Sequence, residues 1–297
     1  MRLFYWQAGD GPNNFGDALN PWLWPRELGA LLDGTAGPWL VGIGSLLGSV
    51  RPFPSEGLRL VLGAGAGYGA PPRLDADWRV YAVRGPRTAA VLDLPPETAA
   101  SDPAILVRRH FARDPTLPRA GVALMLHWRS ANTAWRGMAE ELGWAFVDPR
   151  AEVEEVLRTI AGAELLVTEA LHGAIVADAF RVPWIPIRSS REILAFKWED
   201  WCGSVGLEYR PVSVRQLYDG PAAPGAARAA RAAVKRLLVR RTLREVAGQR
   251  PFLSTAAQLD SAEQRLDYAL DRLREDAARG EFRGLSRLHG TSAGGRE

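Results

Sequence analysis

A histidine that follows a short apolar run is the strongest candidate for acid–base chemistry in this sequence. Glu169 and His172 stand where residues 165–167, an apolar run, give way to a segment with helical character. The first turn of a helix favours neutral imidazole, which takes a proton when an anion binds beside it. Gly173 and the small residues after it let this helix pack closely. We predict that His172 is a general acid–base and that Glu169 and Gly173 contact the substrate region, a structural histidine being the alternative.

A second candidate lies in the loop after the first apolar run, residues 3–6. Asn14, Gly16 and Asp17 combine amide and small side chains with a carboxylate at the start of a helical segment. Asp17 is either an N-cap, worth about 1 kcal/mol, or a carboxylate that binds or deprotonates a hydroxyl group. Taken alone, the loop favours the cap. We predict substrate contacts for Asn14 and Gly16.

Glycines follow two further apolar runs, residues 39–43 and 58–62. Gly44 and Gly65 belong to these glycine-rich segments, where a backbone can approach a ligand closely. The second segment differs from the G-x-G-x-x-G spacing, and prolines at 71 and 72 prevent a following helix. We therefore predict close-packed loops at a ligand cleft and no nucleotide cofactor.

Cationic side chains near strand ends are candidates for anion binding. Arg84 ends an apolar run, and Pro86 at the first helical position places it beside a helix N-terminus. Asp102 either caps a turn or holds Arg84, and the cap is preferred. Lys197 precedes two tryptophans in residues 196–202. This segment is predicted as a cationic, stacking lip over an anionic ligand, or else as a surface helix with buried indoles.

The pattern of apolar runs indicates the elements that position these residues. Short buried strands alternate with helical segments, which favours parallel sheets and right-handed βαβ units. The predicted fold is α/β, with Rossmann-like, doubly wound halves at residues 1–110 and 119–212 and a helical extension at 226–280. A charged linker at 108–118 separates the halves. Ligands of such sheets bind at the carboxyl ends of the strands, where His127 is a further candidate.

Three local predictions concern the helices. The helix over residues 17–32 is expected to break at Pro21 and Pro25, since proline removes a helical hydrogen bond. Residues 254–279 place apolar side chains on one face, with Ser254 as the N-cap. The segment 226–244 is rich in arginine and contains no acid. It is either a solvated face packed on the core or a surface for peripheral membrane contact.

Composition limits the functional classes. The 297 residues carry a net charge of +3, with 47% hydrophobic and 24% charged residues, as in globular proteins. Cys202 is the only cysteine, and no apolar run is long enough to span a membrane. The first ten residues do not resemble a signal peptide. We expect a cytoplasmic protein with no metal site, no nucleotide-binding P-loop and no nucleic-acid partner.

Five sequence blocks together resemble the polysaccharide pyruvyl transferase family, especially its members in exopolysaccharide synthesis. The resemblance covers about residues 1 to 212. The blocks are residues 13–17, 83–85, 101–104, 172–183 and 197–202.

The resemblance implies two halves of glycosyltransferase-B type, phosphoenolpyruvate as the donor substrate and a glycan, often lipid-linked, as the acceptor. No other cofactor is implied. Many members carry arginine where this chain has Ala170, so Arg84, Arg188, Arg191 or Lys197 would have to replace that cation.

The expected reaction forms a ketal between the pyruvyl group and two hydroxyl groups of one sugar. His172 would be the acid–base, Asp17 or Glu169 would steer the hydroxyl group, and Arg84 and Lys197 would hold the donor anions. A nucleotide-sugar glycosyltransferase and a non-catalytic glycan-binding protein are the alternatives, because fold alone does not determine chemistry.

Overall fold

Two parallel β-sheets form the frame of the protein. The computed structural model describes residues 1–7, 13–34, 37–48, 53–54, 56–114, 116, 119, 121–219 and 226–282. The first sheet pairs its strands in chain order: Arg2–Phe4 (β1), Trp39–Val41 (β2), Arg59–Leu62 (β3) and Trp78–Ala82 (β4). The second sheet has the order β6-β5-β7-β8-β9, from Val122–Met125 (β5), Ala145–Phe146 (β6), Leu165–Thr168 (β7), Trp184–Arg188 (β8) and Val212–Ser213 (β9).

Helices connect and cover these sheets. They are Phe15–Leu28 (α1), Pro86–Val91 (α2), Val107–His110 (α3), Thr133–Leu142 (α4), Val153–Gly162 (α5), Leu171–Ala179 (α6), Ala195–Ser204 (α7), Ala226–Ala247 (α8) and Ala256–Ala278 (α9). Short 3-10 helices span Gly29–Leu31, Pro96–Thr98 and Pro103–Leu106. Across the described ranges, no helix combines the length and apolar character that a membrane span requires.

The two sheets differ in topology. In the second sheet, β6 pairs with one edge of β5 and β7 pairs with the other edge. The order in which successive strands join the sheet therefore reverses at β5. Such a reversal opens a crevice at the carboxyl ends of the strands. The described strands of the first sheet add in one direction without a reversal. The predicted α/β class with parallel sheets is confirmed, whereas the glycosyltransferase-B arrangement and the domain boundaries stay predictions.

Helix α1 is continuous, so the predicted break at Pro21 and Pro25 is wrong. Proline at position 21 leaves the carbonyl of Asp17 without its helical donor. The Asn20 side chain donates to that carbonyl from Nδ2 at 3.1 Å, which satisfies the group inside the helix. The backbone N–H of Gly29 bonds to the carbonyl of Pro25 and closes the last turn.

Helix α9 buries the predicted apolar face against the first sheet, which confirms that prediction. It packs on β3 and β4, and its buried side chains are Leu259, Ala262, Leu266, Ala269, Leu270, Leu273 and Asp276. Its N-cap is Thr255, which forms a capping box with Gln258. The prediction for Ser254 is therefore wrong. Ser254 is buried, and its backbone N–H donates to Asp178 Oδ2 at 2.9 Å.

The charged side chains at the start of the predicted linker form ion pairs, so this part of the linker is attached to the rest of the protein. Arg108 and Arg109 lie in α3 and face acids of α9. Arg108 Nη2 is 2.9 Å from Asp260 Oδ1, and Arg109 Nη2 is 2.8 Å from Asp267 Oδ2. Residues 115, 117 and 118 of the predicted linker, and the predicted spacer at 220–225, lie outside the described residues.

Candidate active site

A single pocket collects the segments that follow strands of both sheets. Loops after β1, β2 and β3 meet loops after β5, β6, β7 and β8, as the rule for the carboxyl ends of parallel strands requires. The lining residues are Asn14, Phe15, Gly16, Asp17, Gly44, Ser45, Tyr68, Met125, His127, Trp128, Pro149, Ala170, Leu171, His172 and Lys197. Residues that are far apart in the chain therefore share one opening.

His172 faces a buried carboxylate. It is the second residue of α6, and its Nε2 lies 3.5 Å from Asp102 Oδ2, with the imidazole side chain 16% exposed and the carboxylate fully buried. Neither atom has a hydrogen-bond partner elsewhere in the described part of the chain. The other oxygen of Asp102 accepts from Ala104 N at 3.0 Å and caps the helix Pro103–Leu106. The cap predicted for Asp102 is present, and its second oxygen faces His172 instead of Arg84.

The N-terminal turn of α1 encloses the other side of the imidazole ring. A Cβ atom on Gly16 would overlap Nδ1 of His172, so this backbone position accepts glycine only. Asp17 is buried beside it, and Asn14 Nδ2 donates to Asp17 Oδ2. The N-cap position belongs to Asn14, so Asp17 is not the cap. At Gly44, where φ is +119°, a Cβ atom would lie 3.4 Å from Oδ1 of the same carboxylate.

Lys197 supplies the pocket with a cation. Its Nζ donates to the hydroxyl oxygen of Tyr68 at 2.7 Å, and burial lowers the pKa of the ammonium group. Burial also lowers the pKa of His127 to about 3, helped by the positive charges of Lys197 and Arg129. His127 is therefore neutral at neutral pH, and an anionic ligand beside Lys197 would favour the charged form of the ammonium group.

Arg84 lies behind the pocket wall rather than in it. Its guanidinium is fully buried and donates to Asp200 Oδ2 at 2.9 Å, Ser45 Oγ at 2.9 Å and the Ala66 carbonyl at 2.7 Å. Gly65 makes room for it, since a Cβ atom there would overlap the guanidinium. The geometry therefore contradicts direct ligand contacts for Arg84 and Gly65. Arg84 instead supports Ser45, which lines the pocket.

Glu169 and Gly173 also lie outside the pocket lining. Glu169 is 1% exposed, and its Oε1 accepts from the backbone N–H groups of Ser189 and Ser190 at 2.6 and 3.1 Å. It thus holds the loop after β8 and has no open face for a hydroxyl group. Gly173 lets α6 pack on β7, because a Cβ atom would meet Met125 and Thr168.

The predicted stacking lip is wrong. Trp198 and Trp201 are buried, and both rings contact Trp184 in the core. The alternative of buried indoles describes this helix, because only Lys197 of the segment lines the pocket. Asp200 of the same helix is fully buried and receives the Arg84 guanidinium.

Two lining residues, and the contact between Asp102 and His172 behind the lining, were not predicted. Ser45 and Tyr68 each follow a glycine-rich segment directly, and that position was the available signal. Asp102 lies 70 residues before His172, and no local pattern connects the two. Ala170, where many family members have arginine, lines the pocket. Of the four cations considered as replacements, Lys197 alone is among the lining residues.

Comparison with known proteins identifies the family of this chain. The family model for polysaccharide pyruvyl transferase matches residues 111–191. The succinoglycan biosynthesis protein ExoV of Rhizobium meliloti strain 1021 is 38% identical over 223 residues, which cover 71% of this chain and 67% of ExoV. The chain belongs to the polysaccharide pyruvyl transferase family. It is therefore an enzyme that acts on polysaccharide. No solved structure matches this chain.

The pocket of this pyruvyl transferase extends beyond the matched segment. Residues 111–191 supply His127, Ala170 and His172, whereas Asp17 and Lys197 come from either side of that segment. The site is thus assembled by the whole fold.

Proposed function

We propose that this enzyme transfers a pyruvyl group from phosphoenolpyruvate to a sugar of a polysaccharide precursor, often lipid-linked in the family, and forms a cyclic ketal. The observation that carries the proposal is the shared pocket, in which His172, Asp17 and Lys197 provide an acid, a base and a cation. Ketal formation from this donor requires all three. The family and the relationship to ExoV support a saccharide acceptor.

The first step is protonation of the donor's methylene carbon by His172, which makes the adjacent carbon cationic. Nε2 is turned to Asp102, Nδ1 lies beside Gly16, and the imidazole side chain, which is 16% exposed, lines the pocket. The Asp102 carboxylate, 3.5 Å from Nε2, fixes the orientation of the ring. Positioned acid–base groups of this kind contribute typically about 10²–10⁴-fold to the rate.

A sugar hydroxyl group then attacks the cationic carbon and gives its proton to Asp17. Breaking of the carbon–oxygen bond to phosphate releases phosphate. The second hydroxyl group bonds to the same carbon and closes the ring, while its proton leaves with the phosphate. Glu169 is not the base, since it is buried behind the loop after β8.

Lys197 binds the anionic groups of the donor. Burial lowers the pKa of this ammonium group, so its charged form is disfavoured without a partner. An anion beside it stabilises the charged form. Tyr68 directs the ammonium, and neutral His127 offers a hydrogen-bonding group without repelling it. Lys197 therefore takes the role that arginine at position 170 has in many family members.

Substitution of His172 tests the mechanism. His172→Gln is expected to reduce phosphate release from phosphoenolpyruvate at least about 10²-fold, since the acid is lost. Asp102→Asn should reduce it less, because the imidazole remains. His110→Gln is the matched control, as His110 pairs with Glu27 at 2.9 Å and does not line the pocket.

The same assay separates the alternative chemistries. Release of a nucleoside diphosphate from a sugar nucleotide, without phosphate release from phosphoenolpyruvate, would identify a glycosyltransferase. Absence of calorimetric binding at millimolar phosphoenolpyruvate would indicate a glycan-binding protein. Near-normal turnover by His172→Gln would remove His172 from the mechanism.

A further inference from the structure

Helix α8 is apolar on two opposite sides, although it packs on the protein with only one. Val239, Leu243 and Val246 are buried in the core of the second sheet. On the opposite side, Val234 and Leu237 are each 55% exposed and Leu238 is 37% exposed. Positions 234, 237 and 238 recur at helical spacing, so these three aliphatic side chains form a stripe. Nothing in the described chain covers it.

Cations lie beside the Val234 end of this stripe. Arg231 and Lys235 stand beside Val234 in a groove of about 1010 Å³, and Arg191 and Arg215 reach the groove from the loops after β8 and β9. No described carboxylate forms an ion pair with any of these four side chains, and residues 226–244 contain no acid. Glu192, also in the groove, is 3.8 Å from Arg129.

An exposed aromatic ring completes the surface. Tyr218 is 68% exposed, and Lys235 Nζ lies 4.9 Å from its ring centroid. A tyrosine beside exposed aliphatic groups and cations is the combination found where proteins rest on membrane interfaces.

We propose that this surface docks on anionic phospholipid membranes. The α8 face is defined as Tyr218, Arg231, Val234, Lys235, Leu237 and Leu238. Its aliphatic side chains would enter the boundary between headgroups and acyl chains, and its cations would bind the lipid phosphates. The proposal is independent of the donor and of the ketal chemistry.

Other occupants match the α8 face less well. A nucleic acid would use the cations but leave the aliphatic stripe in water, because phosphate binding offers the stripe no apolar partner. A second copy of the chain in a two-fold contact would bring the same cations together, and like charges repel at such an interface. An anionic membrane uses both features at once.

The position of the α8 face suits an enzyme with an acceptor at a membrane. The residues of the groove follow β8 and β9, so α8 begins beside the carboxyl ends of the second sheet. His172 and Lys197 open at the same edge. Docking through α8 would therefore bring the membrane next to the pocket.

Vesicle sedimentation of the full chain tests the proposal. Wild type should bind vesicles of phosphatidylcholine with roughly one third phosphatidylglycerol at low salt, and binding should fall at about 0.5 M salt. The combined change Val234→Gln, Leu237→Gln and Leu238→Gln should weaken binding at least about tenfold, since the inserted groups are removed. Arg231→Gln with Lys235→Gln should also weaken it and reduce its salt dependence.

Two exposed apolar residues elsewhere provide matched controls. Val91→Gln and Tyr268→Gln, at 44% and 68% exposure, should leave vesicle binding unchanged. Circular dichroism and phosphate release with a water-soluble acceptor verify that each variant is folded. Absence of wild-type binding at low salt would overturn the proposal. Equal binding by the triple variant would do the same and indicate a purely ionic contact, while a dimer dissociated by that variant would assign the stripe to a second copy.

Discussion

The imidazole of His172 is held between two groups that the chain contributes from opposite ends of its first half. Asp102 faces Nε2, and the Gly16 backbone faces Nδ1. A carboxylate on one side and a bare backbone on the other leave the ring little freedom. At the scale of single residues, glycine at position 16 is as necessary to the geometry as the histidine itself.

Gly16→Ala should therefore damage catalysis more than stability. The added methyl group overlaps Nδ1 and displaces the ring, and displacements of about 1 Å can cost about 10²-fold in rate. The overpacking itself should cost about 1–3 kcal/mol of unfolding free energy. Steady-state phosphate release and thermal unfolding measure the two effects.

Gly162→Ala is the matched control for that change. Gly162 ends α5, and a Cβ atom there would meet no neighbour within 4 Å. Its activity should equal that of wild type, and its stability should be unchanged or slightly higher. Full activity in Gly16→Ala would contradict the tight enclosure of His172.

At the scale of elements, Asn20 fixes α1 to the end of β2. Its Nδ2 donates to the carbonyls of Asp17 and Ile43, and its Oδ1 accepts from Ile43 N and Trp24 Nε1. These four bonds use the complete capacity of the side-chain amide. These bonds hold Asp17 of α1 and Gly44, the residue after Ile43, at the same wall of the pocket.

Asn20→Leu should destabilise the protein by about 3 kcal/mol or more, since several buried polar groups lose their partners. The rate should fall as well, because Asp17 is no longer held in place. Chemical denaturation and phosphate release report these effects.

Asn132→Leu changes the same residue type at another helix and serves as the control. Asn132 caps α4 away from the pocket, so its loss should cost about 1 kcal/mol and leave the rate unchanged. An Asn20→Leu variant as stable as wild type would show that the amide network is not needed.

At the scale of the whole molecule, α9 closes the core of the first sheet. Leu266 is fully buried in the cluster that also contains Leu60, Ala123 and Trp184, so one apolar core includes residues of both sheets. Tyr81 donates to Asp276 Oδ2 at 2.6 Å and fastens the end of α9 to β4. Helix α9 is thus part of the same packed unit as the two sheets.

Leu266→Ala should lower the unfolding free energy by about 2–5 kcal/mol through the cavity that it leaves. Tyr268→Ala, on the exposed side of the same helix, should change it by about 0.5 kcal/mol or less. Denaturant titration compares the two. Equal stabilities would mean that α9 packs loosely and that the core does not depend on it.

Local patterns account for the elements that could be predicted from sequence. Strand-length apolar runs indicated the parallel sheets, and the period of α9 indicated its buried face, because these signals repeat within a few residues. The joint at His172 was predicted for the same reason. The continuity of α1 was not, because a side chain of the helix itself, Asn20, replaces the bond that Pro21 removes.

The sequence by itself determined the α/β class, the residue types available for chemistry and their places at strand ends. Only the tertiary structure decided which of them share an opening. Arg84 and Asp200 are 116 residues apart, and their pairing placed a predicted ligand contact inside the protein. Asp102 and His172 meet for the same reason. Contacts between distant segments depend on how whole sheets pack, and the spacing of residues along the chain does not specify that packing.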